Sequence, residues 1–260
     1  MKMGTRSQQY PKLFRSVAPW LDVLAIGGWG ILLLKLWLFD QLSLLVHPNY
    51  FWMTVVAGFF LVAIAAAEAR QVMRRHRSQQ TGQTVQHVTL LLPGWSSSLL
   101  LITALLGLIV TPQPFASDTA IQRGVNDSLT ATRAVPQSFR ANSRSEERSL
   151  VDWIRTINVY PEPDTYVGQK AKVQGFVVYP KDLPEQYFLI SRFVITCCAA
   201  DVYPVSLPVK TEQGRSAYPS DRWLEVEGQM ITIENNGKRQ LAIQASKIVP
   251  ISPPRNPYEY

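Results

Sequence analysis

Two adjacent cysteines, Cys197 and Cys198, are the residues of this 260-residue chain whose types and spacing best suit chemistry. They are its only cysteines, and the carboxylate of Asp201 follows within four positions. Thiolates are soft ligands that select ions such as zinc and copper(I), so these three side chains are candidate metal ligands. Two cysteines are too few for a multi-disulfide scaffold or for a tetra-cysteine zinc site.

Two other interpretations of the cysteine pair stay open. Both thiols can be small buried hydrophobes at the end of a strand, or they can form a vicinal disulfide in an oxidising compartment. Adjacent side chains on a regular strand point to opposite faces. Both thiols can therefore reach one ion only if the strand breaks at this point.

Histidines are absent from the part of the chain that carries the cysteines. His47, His76 and His87 all precede residue 115. Residues 115–260 alone therefore cannot supply a Ser-His-Asp or Cys-His arrangement, or a Cys₂His₂ zinc site. P-loop, GxGxxG and HExxH motifs do not occur either. We expect that the protein is not an enzyme, and that a fourth metal ligand would be water, a backbone carbonyl, a group from a partner or the His47 loop.

Three apolar runs in residues 1–114 predict three membrane-spanning helices, over about residues 20–39, 50–67 and 88–110. They contain 20, 18 and 23 residues, and a span needs about 17 to 25. The N-terminal arm and residues 68–87 are basic, whereas residues 40–49 contain no Lys or Arg. Cytoplasmic loops carry an excess of basic residues. The N-terminus is therefore expected in the cytoplasm, and the chain after about Thr111 outside it.

Two features of the first apolar run bear on how it packs. Lys35 lies near its end and is expected to snorkel to the membrane interface. The run Gly27-Gly28-Trp29-Gly30 offers a close-packing surface for another helix, or reflects the ordinary tolerance of spanning helices for glycine.

The remaining residues predict a linker and a small all-β domain. Residues 115–148 are polar and contain proline, which favours a flexible linker. Within 149–260, Ser149 caps a short helical pattern. Five strand-like stretches follow, over residues 170–179, 187–196, 202–209, 223–233 and 239–249. Mid-strand glycines at Gly175 and Gly228 favour bulges, so we expect an OB-like barrel, with a small sandwich as the alternative.

The charge distribution argues against a nucleic-acid partner. The chain carries 26 Lys and Arg against 19 Asp and Glu, a net of +7, but residues 149–260 carry 12 of each sign. A neutral domain lacks the basic surface on which nucleic-acid binding depends.

Three segments resemble the YcgQ-like family of bacterial membrane proteins. They are TPQPFASDTAIQRG (111–124), YVGQKAKVQGFVVY (166–179) and RFVITCCAAD (192–201). The resemblance covers most of the chain, and its most specific part is Cys197, Cys198, Ala200 and Asp201. It implies a permease subunit in the bacterial plasma (inner) membrane, paired with a separate polytopic permease of the YcgR-like, ArsP-related type. It also implies an association with metal homeostasis, including zinc.

These observations lead to one principal expectation and two alternatives. We expect a membrane-anchored protein with three transmembrane helices and an extracytoplasmic OB-like domain, acting as an accessory subunit of a permease complex in the lipid bilayer. Its outer domain would bind zinc or copper(I), or a partner, through the cysteine cluster. The alternatives are a membrane-tethered redox protein that uses the vicinal cysteines, and a purely structural interaction protein.

Overall fold

The computed structural model describes residues 12–78, 95–124, 144–235 and 237–260 of the chain. They belong to two compact units, one within Met1–Pro112 and the other within Gln113–Tyr260.

Three helices form the first unit: α1 (Lys12–Leu38), α2 (Phe51–Ser78) and α3 (Trp95–Ile109). Two apolar stretches are long enough to cross a membrane, Pro19–Leu38 with 20 residues and Pro48–Arg75 with 28. The described α3 has 15 residues, fewer than the roughly 17 that a span needs. Residues 88–94 of the predicted third span lie outside the described residues. The structure therefore supports two candidate spans rather than the three that the sequence predicts.

Glycines allow close contact between the helices of this unit. A Cβ added to Gly30 would lie 2.8 Å from a Val62 methyl, and one added to Gly28 would lie 3.3 Å from the Ala104 Cβ. The run Gly27-Gly28-Trp29-Gly30 therefore lies where α1 meets both other helices. Small residues at such contacts let helix backbones approach each other, which is the close-packing interpretation of this run.

Polar groups of α1 bond to α3 at three successive levels. The pairs are the Ser97 hydroxyl to Asp22, Trp29 Nε1 to the Leu100 carbonyl at 3.0 Å, and Lys35 Nζ to the Leu108 carbonyl at 2.7 Å. Residue numbers rise together along both helices, so α1 and α3 run parallel. Lys35 thus donates to a carbonyl in the last turn of α3, and its position at a membrane interface stays a prediction.

Five strands of the second unit close into a mixed β barrel. They are β1 (Lys170–Val178), β2 (Tyr187–Val194), β3 (Tyr203–Lys210), β4 (Trp223–Asn235) and β5 (Lys238–Pro250). β1 pairs with both β2 and β4, which closes the ring in the order β1-β2-β3-β5-β4. β3 and β5 pair in parallel, and the other ring neighbours pair antiparallel. A closed five-stranded barrel is thus confirmed, and the sandwich alternative is not what these residues form.

Alternation along the strands places apolar residues inside the barrel. Its fully buried side chains include Phe188, Ile190, Leu224 and Met230. Opposite the step from Glu227 to Gly228 in β4, β5 contains one extra residue, Ser246, which forms a β-bulge. A Cβ at Gly228 would lie 2.1 Å from the Gln244 carbonyl oxygen, so only glycine fits at this bulge.

Two short helices accompany the barrel. α5 (Leu150–Val159) begins with the capping box of Ser149 and Asp152, at the residue where the sequence predicts a helix start. α4 (Ser117–Gln122) lies within the predicted linker, yet it belongs to the barrel unit. Residues 115–124 are therefore part of the folded domain, while residues 125–143 of the predicted linker lie outside the described residues.

A two-residue strand completes the second unit. β6 (Tyr258–Glu259) pairs in parallel with the end of β2, opposite Phe193 and Val194. It brings the segment before Tyr260 beside the loop that leaves β2.

Candidate functional site

The loop of residues 195–202 joins β2 to β3 and holds all three predicted ligands; we call it the Cys turn. β2 ends at Val194, two residues before the strand end that the sequence predicts. The Ile195 amide still donates to the Glu259 carbonyl at 3.1 Å, as a last contact with β6. The regular strand ends before the cysteines, and this meets the condition for both thiols to reach one ion.

Asp201 shapes the Cys turn through its carboxylate. One oxygen accepts from the Cys197 amide at 2.8 Å and from the Thr196 hydroxyl. The other oxygen accepts from the Cys198 amide at 3.1 Å. Local bonds of this kind let an aspartate side chain replace backbone partners and hold a tight turn.

The two thiols lie side by side at the surface. Their sulfur atoms are 3.6 Å apart, within hydrogen-bonding distance, and they do not form a disulfide. Cys197 is exposed and Cys198 is half-buried, so neither is the buried core residue of the first alternative interpretation. One ligand atom from each of Cys197, Cys198 and Asp201 lies within 4.8 Å of the others.

The protonation states of the Cys turn follow from these contacts. Hydrogen bonds to Asp201 and Cys198 raise the pKa of Cys197 to about 11. Partial burial by itself raises the pKa of Asp201, but hydrogen bonds from Thr196, from the Cys197 thiol and from two amides outweigh it and lower that pKa. Without a cation, the Cys197 thiol keeps its proton at neutral pH and the Asp201 carboxylate is ionised.

A bound cation would reverse this preference. Positive charge between the sulfurs favours the thiolate over the thiol. Loss of the Cys197 proton also ends its hydrogen bond to Asp201. A carboxylate has about four lone-pair positions, so the one vacated becomes free for the ion while the bonds that shape the turn persist.

The sulfur separation fits a tetrahedral ion. For an ion about 2.3 Å from both sulfurs, which is the usual zinc–sulfur distance, the sulfur–ion–sulfur angle would be roughly 100°. That value is close to the tetrahedral angle of about 109° found at zinc sites. A linear two-thiolate copper(I) ion would require the sulfurs to move apart from 3.6 Å. The chain therefore presents the donor types that zinc and copper(I) share, in a geometry closer to that of zinc.

Arg123 is a contact of the Cys turn that the sequence analysis missed. Its guanidinium donates to the Val202 carbonyl and, at 3.5 Å, to the Ala200 carbonyl. Arg123 follows α4 in a stretch that the sequence assigns to the linker, and a single basic residue among polar neighbours gives no signal for such a contact. Only the folded position of α4 reveals it.

His47, which the sequence offers as a source of a further ligand, belongs to the helical unit, where its Nδ1 accepts from the Asn49 amide at 3.1 Å. The described residues of the barrel unit contain no histidine. A ligand from the His47 loop therefore stays a prediction.

The part of the chain that holds this site is similar to a known protein family. Residues 138–260 match the DUF1980 C-terminal domain. The match covers the barrel, β6 and the Cys turn, and it does not extend to the helical unit or to α4. No curated protein and no solved structure matches the chain.

Proposed function

We propose that the chain is a membrane-anchored accessory subunit of a permease complex whose DUF1980 C-terminal domain binds a metal ion at the Cys turn. Zinc is the preferred ion and copper(I) the second choice. The observation that carries the proposal is the arrangement of exposed Cys197, half-buried Cys198 and Asp201, with the two sulfurs 3.6 Å apart beside an ionised carboxylate. The protein acts as a binding subunit and not as an enzyme.

The number of donors favours transfer of the ion over a structural role. Structural zinc sites use four protein ligands, whereas the Cys turn offers three. The remaining coordination position would be open to water or to a group from a partner. An exposed and incomplete site of this kind suits an ion that is passed on.

Three membrane spans with the N-terminus in the cytoplasm are part of this proposal. The parallel direction of α1 and α3 supports it, because two spanning helices run in the same direction when one other span lies between them in the sequence. The side chains of Asp22 and Lys35 bond to α3, and polar groups in lipid need such partners. The basic residues at 68–87 then lie on the cytoplasmic side, and the barrel lies outside the cytoplasm at the bacterial plasma (inner) membrane.

The domain type and the partner follow the same line of argument. The ring order β1-β2-β3-β5-β4, closed by the pairing of β4 with β1, supports an OB-like barrel. Its balanced charge supports a partner other than nucleic acid. The resemblance of the chain to YcgQ-like proteins supports a polytopic permease of the YcgR-like, ArsP-related type as that partner.

Affinity purification in a mild detergent tests the subunit proposal. A tagged full-length chain should recover a polytopic membrane protein in a fixed ratio from its native membrane. The Cys197→Ser/Cys198→Ser variant is the matched control, since the helices should keep the partner when the metal site is lost. Recovery of the chain only as a free monomer would contradict the proposal.

A membrane-tethered redox protein is the second candidate, favoured by the sulfur separation of 3.6 Å. In that case the two thiols lose two protons and two electrons to a disulfide oxidant of the compartment and form one Sγ–Sγ bond. A redox titration of the purified chain, followed by counting its free thiols, separates the candidates. Thiols that stay reduced under oxidising conditions exclude the redox function.

A further inference from the structure

Among the described residues, Arg123 donates side-chain hydrogen bonds to the Cys turn from outside it. The carbonyls to which it donates, those of Ala200 and Val202, stand on either side of Asp201. Within the turn, the Asp201 amide donates to the Cys198 carbonyl at 3.0 Å. Arg123 thus fixes the backbone on both sides of the residue that gives the turn its shape.

Arg123 is itself held in place by the segment of residues 113–124, which we call the α4 strap. Its guanidinium carbon lies 5.2 Å from the centre of the Phe115 ring. Phe115 in turn packs edge-on against Phe193 of β2 and lies beside Tyr258 of β6. These contacts limit the orientations that the Arg123 side chain can adopt.

The start and the middle of the α4 strap have further contacts of their own. The Ser117 amide donates to an Asp221 carboxylate oxygen at 2.6 Å, and Ala120 is fully buried. The strap is therefore docked at its start, its middle and its end. Its last contact is the one with the Cys turn.

Packing gives the sulfurs little support, because Cys197 is exposed and Cys198 is half-buried. Their side chains are oriented by hydrogen bonds inside the Cys turn, between the two sulfurs and from the Cys197 thiol to Asp201. The 3.6 Å sulfur separation therefore depends on the conformation of the Cys turn. Groups that orient metal ligands from a second layer commonly change metal affinity by about 10- to 100-fold when they are removed.

We infer that Arg123 is a positioning residue that keeps the Cys turn in the conformation that binds metal. Through it, the segment that follows the third apolar helix in sequence controls the ligand geometry. The inference rests on the proposed metal-binding function. Arg123 does not contact the ion; it acts through the carbonyls that flank Asp201.

Arginine variants of the full-length chain in detergent test this inference. Arg123→Gln replaces the guanidinium with a shorter, neutral amide that cannot reach both carbonyls, whereas Arg123→Lys keeps a long, charged donor. Arg155→Gln is the matched control, since Arg155 also donates to a backbone carbonyl, that of Tyr260, at 2.8 Å. Zinc affinity is measured by competition with a chromophoric chelator, and amide hydrogen exchange over residues 196–202 is measured without metal.

The expected result is a loss of zinc affinity of about tenfold or more for Arg123→Gln. Faster amide exchange in the Cys turn should accompany it, with partial recovery in Arg123→Lys and no change in Arg155→Gln. Unchanged exchange in Arg123→Gln would overturn the inference whether or not zinc binds. If exchange rises but the wild-type chain binds no zinc, the metal-binding function fails while the contact role of Arg123 is confirmed.

Discussion

Asp201 serves the Cys turn as a hydrogen-bond acceptor before it serves as a ligand. Its two oxygens receive the amides of Cys197 and Cys198, the Thr196 hydroxyl and the Cys197 thiol. The same negative charge keeps the Cys197 proton in place. Removal of that charge should therefore change both the shape of the turn and the reactivity of the thiol.

Asp201→Asn should make Cys197 more reactive. Without the carboxylate, the pKa of Cys197 falls from about 11 towards its ordinary value of 9.0, and the thiolate is the reactive form. Alkylation of Cys197 at pH 8, followed by mass spectrometry, should accelerate about tenfold or more. The control Asp182→Asn changes an exposed carboxylate outside the Cys turn and should leave the rate unchanged. A slower or equal rate in Asp201→Asn would show that the carboxylate does not suppress the thiolate.

Zinc binding should weaken as the pH falls. The pKa of Cys197 is raised to about 11, so this thiol is protonated throughout the range from pH 6 to pH 8. It must release its proton to coordinate, and protons therefore compete with the metal over the whole range. We expect the zinc affinity to fall at least about tenfold for each pH unit. An affinity that does not change with pH, after correction for the protonation of the competing chelator, would show that the thiols are not the ligands.

The ligand triad can be identified from residue types, whereas its positioning residue cannot. Cys197, Cys198 and Asp201 are close in sequence, and the sequence already defines the requirement that the strand break beside them. Arg123 is 74 or more positions away from all three. Its role arises from tertiary packing of the α4 strap, which leaves no periodic pattern in the sequence.

The strands were predictable because each is an apolar pattern of strand length. All five lie where the alternation of residues places them, and their ends differ by a few residues at most. The main differences between prediction and structure occur where individual tertiary contacts determine whether or where an element forms. β2 stops at Val194, where its pairing with Tyr203 of β3 ends, and six-residue α4 forms because its ends bond to the barrel. α3 was predicted to be longer than its described part, and the residues that would extend it lie outside the description.

Gly228 of β4, which lies opposite the bulge in β5, gives a stability prediction for the barrel. In Gly228→Ala the new Cβ would lie 2.1 Å from the Gln244 carbonyl oxygen, so the backbone must shift. Such overpacking should destabilise the domain by about 2 kcal/mol or more. Gly214→Ala is the matched control, because nothing lies within 4 Å of its added Cβ and its φ is −68°. Thermal unfolding followed by near-ultraviolet circular dichroism should show a lower midpoint for Gly228→Ala alone, and equal midpoints would contradict the bulge geometry.

The side of the membrane on which the barrel lies depends on whether the third apolar helix crosses the membrane. Three crossings would place the barrel and the Cys turn on the side opposite the N-terminus, whereas two crossings would place them on the same side as the N-terminus. The metal would then come from a different compartment. The parallel α1 and α3 favour three crossings, as do the basic flanks of the first two apolar runs.

Reporter fusions test this topology. Alkaline phosphatase, which is active only outside the cytoplasm, should be active when fused after Tyr260 and inactive when fused after Ser78. A cytoplasmic reporter such as β-galactosidase should give the opposite pattern at the two sites. An inactive phosphatase at both sites, with comparable fusion-protein levels, would show that the third helix does not cross.

Metal content of the purified full-length chain is the most direct test of the central claim, that the Cys turn binds an ion. Elemental analysis after exposure to zinc and removal of the excess should give about one zinc per chain, as expected for one cluster of ligands. The Arg155→Gln control should match the wild-type chain, and Cys197→Ser/Cys198→Ser should carry none. Equal zinc in the wild-type chain and in the double serine variant would contradict the account.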